Sequence, residues 1–323
     1  MRKIITCILL ISLVFSLTAC VGNISDTQLT EPKEENEHML DNKKVIILGN
    51  SYVFYGKTVL TKSSSAPQQR QRVDDQGYFY QLCKEMGAEV AVTNWTFGGH
   101  GVRRLFEENC YYCNLDHRTF LVDRYYDYVV VSPGSENEFG DTMETIMAFF
   151  REANPDVKFV ILGNHAPLGY TRYENMEYIW DLYAEFEKQG VIIADWGGLF
   201  HNIITGQYTV PGATQTYTRN TFLVATDNYH PNLLTGYLEA MVLYCAITGE
   251  SAVGLPYGFW SDIQRNVEFD MNAHVEKYYT GSTTNFFDVF NSPADMNGLQ
   301  QLVDQHLQAK TYRHIKMQQD AQS

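Results

Sequence analysis

Residues 43–55 read KKVIILGNSYVFY, and this stretch decides the fold. The apolar run 45–48 is typical of a buried strand. It stops abruptly at three polar turn residues, Gly49, Asn50 and Ser51. Ligands collect at the carboxyl ends of strands in an open parallel sheet, so Ser51 is a candidate nucleophile. The segment alone leaves open an ordinary strand-to-helix turn in which Ser51 caps the helix.

Strands and helices alternate along the rest of the chain. Apolar patterns predict further strands at 88–92, 126–132, 157–162 and 191–195, and helices at 76–86, 141–153, 174–189 and 232–248. The last of these helices is expected to bury one face against the sheet, and the stretch 57–75 is expected to form a long loop. Such alternation implies right-handed crossovers. We therefore expect an α/β protein, a three-layer α/β/α sandwich with a parallel sheet of about five strands.

Composition excludes two classes of partner. The 323 residues include 24 Lys and Arg against 38 Asp and Glu, a net charge of -14. Such an acidic protein does not suit nucleic acid or anionic lipid surfaces, because both are bound through cationic side chains. Aromatic residues make up 14% of the chain, which suits carbohydrate or other amphipathic ligands.

The amino terminus predicts export. Arg2 and Lys3 precede an apolar run at 4–17 that is short for a membrane span, and Leu-Thr-Ala-Cys follows at 17–20. This segment resembles the lipobox of bacterial lipoproteins. The resemblance implies cleavage before Cys20 and lipid attachment to its sulfur, so the protein is expected to be extracytoplasmic and anchored to a membrane. A lone membrane helix is the alternative.

Residues 226–232 read TDNYHPN and supply a candidate base. A nucleophilic serine needs a base to take its proton, and an imidazole works best when a carboxylate holds its tautomer. His230 and Asp227 have the chemistry for these two roles, with Pro231 stiffening the chain after them. By itself the pattern leaves open a helix cap followed by a surface histidine.

Short blocks of sequence carry a resemblance to the SGNH, or GDSL-type, esterase family. Its first block is a strand followed by Gly-Asp-Ser, which Gly49, Asn50 and Ser51 match with Asn in place of the usual Asp. Its final block, Asp-x-x-His-Pro, matches residues 227–231 just before a predicted helix. The resemblance spans residues 43 to about 250 and implies a flavodoxin-like SGNH hydrolase fold.

The two middle blocks of the family match less evenly. Asn94 and Gly99 match the second block, in which a glycine N–H helps to form the oxyanion hole, with Gly98 as the second choice. The third block is usually Gly-x-Asn-Asp, whose Asn donates to the oxyanion. Here Glu136 falls where that Asn is expected, and Asn137 comes one residue late.

The resemblance implies acyl transfer, in which Ser51 attacks an ester carbonyl, His230 acts as base and then acid, and Asp227 orients His230. The groups implied for the oxyanion hole are the backbone N–H groups of Ser51 and Gly99 and a side chain from Asn137 or Ser135.

Other residues are candidates for lesser roles. His165 and Asn50 are candidate substrate contacts, although an ordinary loop histidine is an equally open interpretation of His165. Cys110, Cys113 and His117 have a zinc-like spacing, but no second pair of ligands follows in the sequence. Buried thiols or a local disulfide are therefore expected, and neither a metal nor a cofactor is predicted.

Four segments are expected: a signal peptide at 1–19, a flexible acidic tether at 20–42, an SGNH hydrolase-like domain at 43–262 and a partly helical extension at 263–323. The expected function is that of a lipid-anchored serine esterase that removes small acyl groups, such as O-acetyl groups, from carbohydrate. The alternatives are an O-acyltransferase and a catalytically decayed, glycan-binding surface lipoprotein.

Overall fold

A six-stranded sheet forms the centre of the part of the chain that the computed structural model describes. The described residues are 38–59, 72–99, 101–106, 118, 123–134, 139–165, 173–224, 229–259 and 286–310, with only the backbone described at 72–73, 173–180 and 286–287. The strands are β1 (Lys44–Gly49), β2 (Arg72–Asp74), β3 (Ala91–Thr96), β4 (Tyr128–Val131), β5 (Lys158–Leu162) and β6 (Ile192–Ala194).

The strands lie in the order β2-β3-β1-β4-β5-β6. β2 is antiparallel to β3, and the other five strands are parallel. Numbered along the chain, these five follow the flavodoxin-like order 2-1-3-4-5. This order confirms the predicted fold class, with an antiparallel edge strand added to the predicted parallel sheet.

Helices cover the sheet. Those in the described residues are α1 (Ser51–Phe54), α2 (Tyr78–Glu85), α3 (Phe139–Arg151), α4 (Tyr173–Lys188), α5 (Trp196–Ile204), α6 (Arg219–Phe222), α7 (Leu233–Thr248), α8 (Phe286–Phe290) and α9 (Pro293–Ala309), together with a 3₁₀ helix at Val102–Leu105. The predicted helices at 76–86, 141–153, 174–189 and 232–248 correspond to α2, α3, α4 and α7.

Two strand predictions need correction. β3 begins at Ala91 rather than at residue 88 and continues through Asn94, because its whole length pairs in register with β1, from Lys44 to Gly49. Asn94 therefore lies within the strand instead of following it. Residues Arg72–Asp74, predicted as part of a long loop, form β2, because the free edge of β3 offers them backbone hydrogen bonds.

Alternate side chains of the strands enter two apolar cores. In β1, Val45 and Ile47 join the core that contains side chains of α2, α5, α7 and α9, whereas Ile46 and Leu48 join the core beneath α3 and α4. All four side chains are completely buried. Full burial of such a side chain stabilises the fold by about 1.5–3 kcal/mol. The two cores define the predicted three-layer sandwich.

Helix α7 is buried on almost every side, whereas the sequence pattern predicts one buried face. The reason is that α2, α8 and α9 pack against it in addition to β5 and β6. α9 belongs to the predicted extension at 263–323, and its Met296, Leu299 and Val303 share the core with α7. The predicted boundary between 262 and 263 lies outside the described residues.

The packed unit begins at His38, five residues before the predicted start of the domain at 43. Leu40 is completely buried, and His38 Nε2 lies 2.8 Å from Tyr244 Oη. These contacts hold residues 38–42 against the domain, because the Leu40 side chain moves from water into the apolar core. Within the described residues no helix has the length and apolar character needed to span a membrane, and the apolar run at 4–17 lies outside them.

Glu239 is a fully buried carboxyl group in the middle of α7. Its Oε2 lies 2.5 Å from Thr58 Oγ1, which also lies 3.2 Å from the Gly236 carbonyl oxygen. Burial raises the pKa of Glu239 to about 8, and the Thr58 hydrogen bond only partly opposes this effect. At neutral pH the carboxyl group is therefore mainly protonated. The Thr58 hydroxyl donates to Oε2, and the Gly236 carbonyl oxygen is the second acceptor within its reach.

We expect this buried acid to make stability depend on pH. The pKa of Glu239 in the folded state, about 8, lies above its ordinary value of 4.5, so its contribution is complete below pH 4.5 and is lost as the pH rises through 8. Relative to Glu239→Gln, the wild type should lose on the order of a few kcal/mol of unfolding free energy between slightly acidic and alkaline pH. Thermal unfolding of both proteins across this range measures the difference, and a gap that does not change with pH would contradict the assignment.

Candidate active site

Ser51 is the first residue of α1 and comes two residues after Gly49, the last residue of β1. Asn50, rather than Ser51, caps the helix, with Oδ1 accepting from the Tyr52 N–H at 3.0 Å. Gly49 suits this turn because a Cβ there would lie 3.0 Å from the Cβ of Ser132. The turn holds Ser51 at the carboxyl edge of the sheet with 8% of its surface exposed.

His230 precedes α7 and is fixed through the backbone on both sides. Its carbonyl oxygen accepts from the Val224 N–H at 2.9 Å. Asn232 caps α7 by accepting from the Thr235 N–H at 3.1 Å, and its own N–H donates to the Phe222 carbonyl at 3.0 Å. The imidazole therefore projects from a short segment whose ends are held by hydrogen bonds.

Two glycines bring the serine and histidine segments together. A Cβ on Gly236, in the first turn of α7, would lie 1.7 Å from the Gly56 carbonyl oxygen. A Cβ on Gly56 would lie 2.8 Å from the Asn232 carbonyl oxygen. No side chain fits at either glycine, so backbone rests directly on backbone. This contact places the turn that begins at Ser51 against the helix that follows His230.

The result is a direct contact between the predicted nucleophile and the predicted base. His230 Nε2 lies 3.1 Å from Ser51 Oγ, although the two residues are 179 positions apart in the chain. With Nε2 unprotonated, the Ser51 hydroxyl donates to it, which is the arrangement that proton removal requires. The structure thus brings these two residues together as the sequence predicts.

Three tyrosines surround the imidazole of His230. Tyr55 stacks on its face, with ring centroids 3.8 Å apart and planes 15° apart. Tyr229 meets it edge-on at 4.8 Å and 76°, and Tyr52 lies further away at 6.5 Å. Sequence patterns single out none of these tyrosines, because their roles depend on contacts between segments distant in the chain.

His165 supports the residue before His230. Its Nε2 lies 2.9 Å from the Tyr229 carbonyl oxygen, so this nitrogen carries the proton and donates. Its ring also meets Tyr52 edge-on at 5.0 Å. Only 1% of His165 is exposed, so the side chain serves to hold the chain beside His230. A contact between His165 and substrate stays a prediction.

The predicted oxyanion glycine, Gly99, lies in the turn after β3. This turn starts beside the end of β1, because the Phe97 N–H donates to the Gly49 carbonyl at 2.9 Å. Gly98 packs on α1, where its added Cβ would lie 3.3 Å from Cζ of Phe54. Gly99 has φ of +77°, a conformation that favours glycine. The turn therefore lies next to α1, and the role of the Gly99 N–H stays a prediction.

Asn164, two residues after β5, fixes the segment that leaves β4. Its Oδ1 accepts from the Gly134 N–H at 2.7 Å and from Ser132 Oγ at 3.0 Å. The Asn50 carboxamide also packs here, since a Cβ on Gly134 would lie 2.5 Å from Asn50 Nδ2. Sequence reasoning missed Asn164, whose one signal is its position at the end of a strand. Substrate contact by Asn50, which is 6% exposed, stays a prediction.

Several predicted residues lie outside the described part of the chain. They are Cys20, Cys110, Cys113, His117, Ser135, Glu136, Asn137 and Asp227. Among the residues that are described, no group of three or more His, Cys, Asp or Glu side chains is arranged to hold a metal ion.

The order of the strands and the contact between Ser51 and His230 agree with the sequence resemblance. A flavodoxin-like sheet carries a serine after its first strand and a histidine before the helix α7, and the two side chains meet at the carboxyl edge. These are the positions that the SGNH resemblance implies, and the sheet order is the flavodoxin-like order that the same resemblance implies.

Comparison with solved structures found similar chains. An acetylxylan esterase from Geobacillus stearothermophilus is 14% identical, with 64% of this chain and 94% of that chain covered and a TM-score of 0.44. A DUF4886 family protein from Bacteroides uniformis is 13% identical, with 82% and 94% covered and a TM-score of 0.45. A family two carbohydrate esterase from Clostridium thermocellum, in complex with cellohexaose, is 13% identical, with 64% of each chain covered and a TM-score of 0.37. No family model matches the chain, and no curated protein matches it significantly.

We expect Gly236→Ala to reverse the usual effect of alanine in a helix. Alanine normally stabilises a helix by about 0.5–1 kcal/mol relative to glycine, but the overlap with the Gly56 carbonyl should dominate and destabilise the protein by about 1–3 kcal/mol or more. Gly140→Ala in α3 is the matched control, because its Cβ would meet, among the described residues, side-chain atoms of Leu182 alone, at 3.6 Å and 3.7 Å. Thermal unfolding measures both variants, and a Gly236→Ala protein as stable as wild type would refute the close contact.

Proposed function

We propose that the protein is a serine esterase. The observation that carries the proposal is the 3.1 Å separation of Ser51 Oγ and His230 Nε2. Ser51 attacks the acyl carbonyl carbon while His230 takes its proton and then passes it to the departing alcohol. Water, activated by His230, hydrolyses the acyl-enzyme and restores Ser51. Asp227 is proposed to orient His230.

The oxyanion is proposed to accept hydrogen bonds from the backbone N–H groups of Ser51 and Gly99. The placement of the β3 turn beside α1 supports the second of these donors. A third bond is proposed from the side chain of Asn137 or Ser135. Losing one such donor costs about 2.7–4 kcal/mol of transition-state stabilisation, so the Glu136 substitution in the third block bears directly on the rate.

The proposed substrates are small acyl esters, such as O-acetyl groups on carbohydrate. Ser51 is 8% exposed and lies in a turn with Tyr52 and Tyr55, which favours a short acyl group over a long chain. The SGNH resemblance and the aromatic content of the chain support a carbohydrate alcohol. The reaction needs no cofactor, because serine and histidine supply both the nucleophile and the proton transfers.

We expect hydrolysis to depend on both members of the pair. Ser51→Ala and His230→Ala should each lower kcat for p-nitrophenyl acetate by about 10⁴-fold or more, because either change removes the activated nucleophile. Ser251→Ala is the matched control, since Ser251 follows the far end of α7 and donates to Asp304. Release of p-nitrophenol by the purified proteins gives the rates.

Equal rates in the wild type, Ser51→Ala and His230→Ala would refute the esterase proposal. That outcome would favour the catalytically decayed, glycan-binding alternative instead. Transfer of the acetyl group to an added glycan in preference to water would favour the acyltransferase.

The proposed location is extracytoplasmic, with a lipid on Cys20 holding the protein to a bacterial membrane. The proposal rests on the lipobox-like segment at 17–20. Labelled palmitate should enter the wild-type protein during bacterial expression, whereas Cys20→Ala should remain unlabelled because it lacks the acceptor thiol. Equal labelling of the two proteins would exclude Cys20 as the lipidation site.

A further inference from the structure

The stacking of Tyr55 on His230 is closer than any other ring contact of this histidine in the described residues. The ring centroids are 3.8 Å apart and the planes are 15° from parallel. Tyr229 and Tyr52 approach the same imidazole at wider angles, 76° and 42°. Tyr55 is therefore the residue that covers a face of the candidate base.

Tyr55 belongs to the same turn as the candidate nucleophile. Its N–H donates to the Ser51 carbonyl at 3.1 Å, and its backbone is helical with φ of −63°. Residues four apart on a helix project from one face, so Ser51 and Tyr55 point toward the same side. A single helical turn thus places both the Ser51 hydroxyl and the Tyr55 ring against His230.

Stacking on the Tyr55 ring limits the rotation of the His230 imidazole that its hydrogen bond to Ser51 limits least. The bond between Nε2 and Ser51 Oγ resists movement within the ring plane, whereas rotation of the ring out of that plane would drive its edge into Tyr55. An imidazolium that forms when Ser51 loses its proton would also lie over the negative face of the tyrosine ring.

We propose that Tyr55 is a positioning residue, which aligns His230 with Ser51 and favours the protonated imidazole during acyl transfer. This proposal rests on the proposed function, because Tyr55 affects catalysis only if His230 is the base. The aromatic face performs this role, so the phenolic hydroxyl is dispensable. Tyr55 acts on the reaction through its contact with His230.

The test compares Tyr55→Phe, which keeps the ring, with Tyr55→Leu and Tyr55→Met, which remove it. Tyr125→Leu is the matched control, because Tyr125 is 49% exposed and precedes β4, at the opposite edge of the sheet. Two rates are measured for each protein: phosphonylation of Ser51 by diisopropyl fluorophosphate and turnover of p-nitrophenyl acetate. In the first, Ser51 Oγ bonds to phosphorus, fluoride leaves and His230 takes the serine proton.

Both non-aromatic variants should lose roughly 3- to 30-fold in the phosphonylation rate and in kcat, with KM nearly unchanged. Tyr55→Phe and Tyr125→Leu should stay within about twofold of wild type. In NMR spectra, the carbon-bound imidazole protons of His230 should lose an upfield ring-current shift in Tyr55→Leu and keep it in Tyr55→Phe. Thermal unfolding identifies any variant that fails to fold. If the leucine and methionine variants do not fold, the rates of Tyr55→Phe still test whether the hydroxyl is needed.

The role of Tyr55 and the esterase activity can fail independently in these measurements. Equal phosphonylation of the wild type and both non-aromatic variants, including no reaction in any of them, would overturn the role of Tyr55. So would a Tyr55→Phe protein as slow as Tyr55→Leu, because the hydroxyl would then be required. A wild type that reacts faster with the fluorophosphate than Tyr55→Leu but hydrolyses no ester would support the positioning role and overturn the esterase proposal.

Discussion

The contact between the backbones of Gly56 and Gly236 is the constraint on which the site depends. An added Cβ on Gly236 would lie 1.7 Å from the Gly56 carbonyl oxygen, so no other amino acid allows this approach. The contact joins the loop after α1 to the first turn of α7. Because Ser51 opens α1 and His230 precedes α7, two side chains 179 residues apart meet within hydrogen-bonding distance. Glycine thus acts here through the absence of a side chain rather than through backbone freedom.

The surroundings of α7 explain why this contact is rigid. The helix is covered by β5 and β6 on one side and by α2, α8 and α9 on the others, so it has little room to shift. The buried groups of α7 include the carboxyl group of Glu239, which is mainly protonated at neutral pH. It is hydrogen-bonded to Thr58, two residues after Gly56. Apolar packing and one polar bridge therefore hold the same junction.

The sequence predicts the sheet, the main helices and the central pair of the site, because these depend on local patterns. The run 45–48 reads as a strand from its own residues, and Ser51 and His230 are marked by the motifs around them. β3 is misplaced because Asn94 is polar within a strand, and α5 escapes prediction because Gly197 and Gly198 interrupt its pattern. Tyr55 and Asn164 are missed for another reason: their partners, His230 and Gly134, are distant in sequence. Asp227 and the third oxyanion donor remain predictions.

The short segment 38–42 has a consequence for access to the site. It packs beside residue Glu89, just before β3, and leads directly into β1, so the chain enters the fold at the amino edge of the sheet. Ser51 lies at the other end of β1, a six-residue strand that spans about 20 Å at roughly 3.3 Å per residue. The point at which the chain enters the fold and the nucleophile thus lie about one strand length apart, at opposite edges of the sheet. Residues 38–42 therefore do not block the approach of a substrate to Ser51.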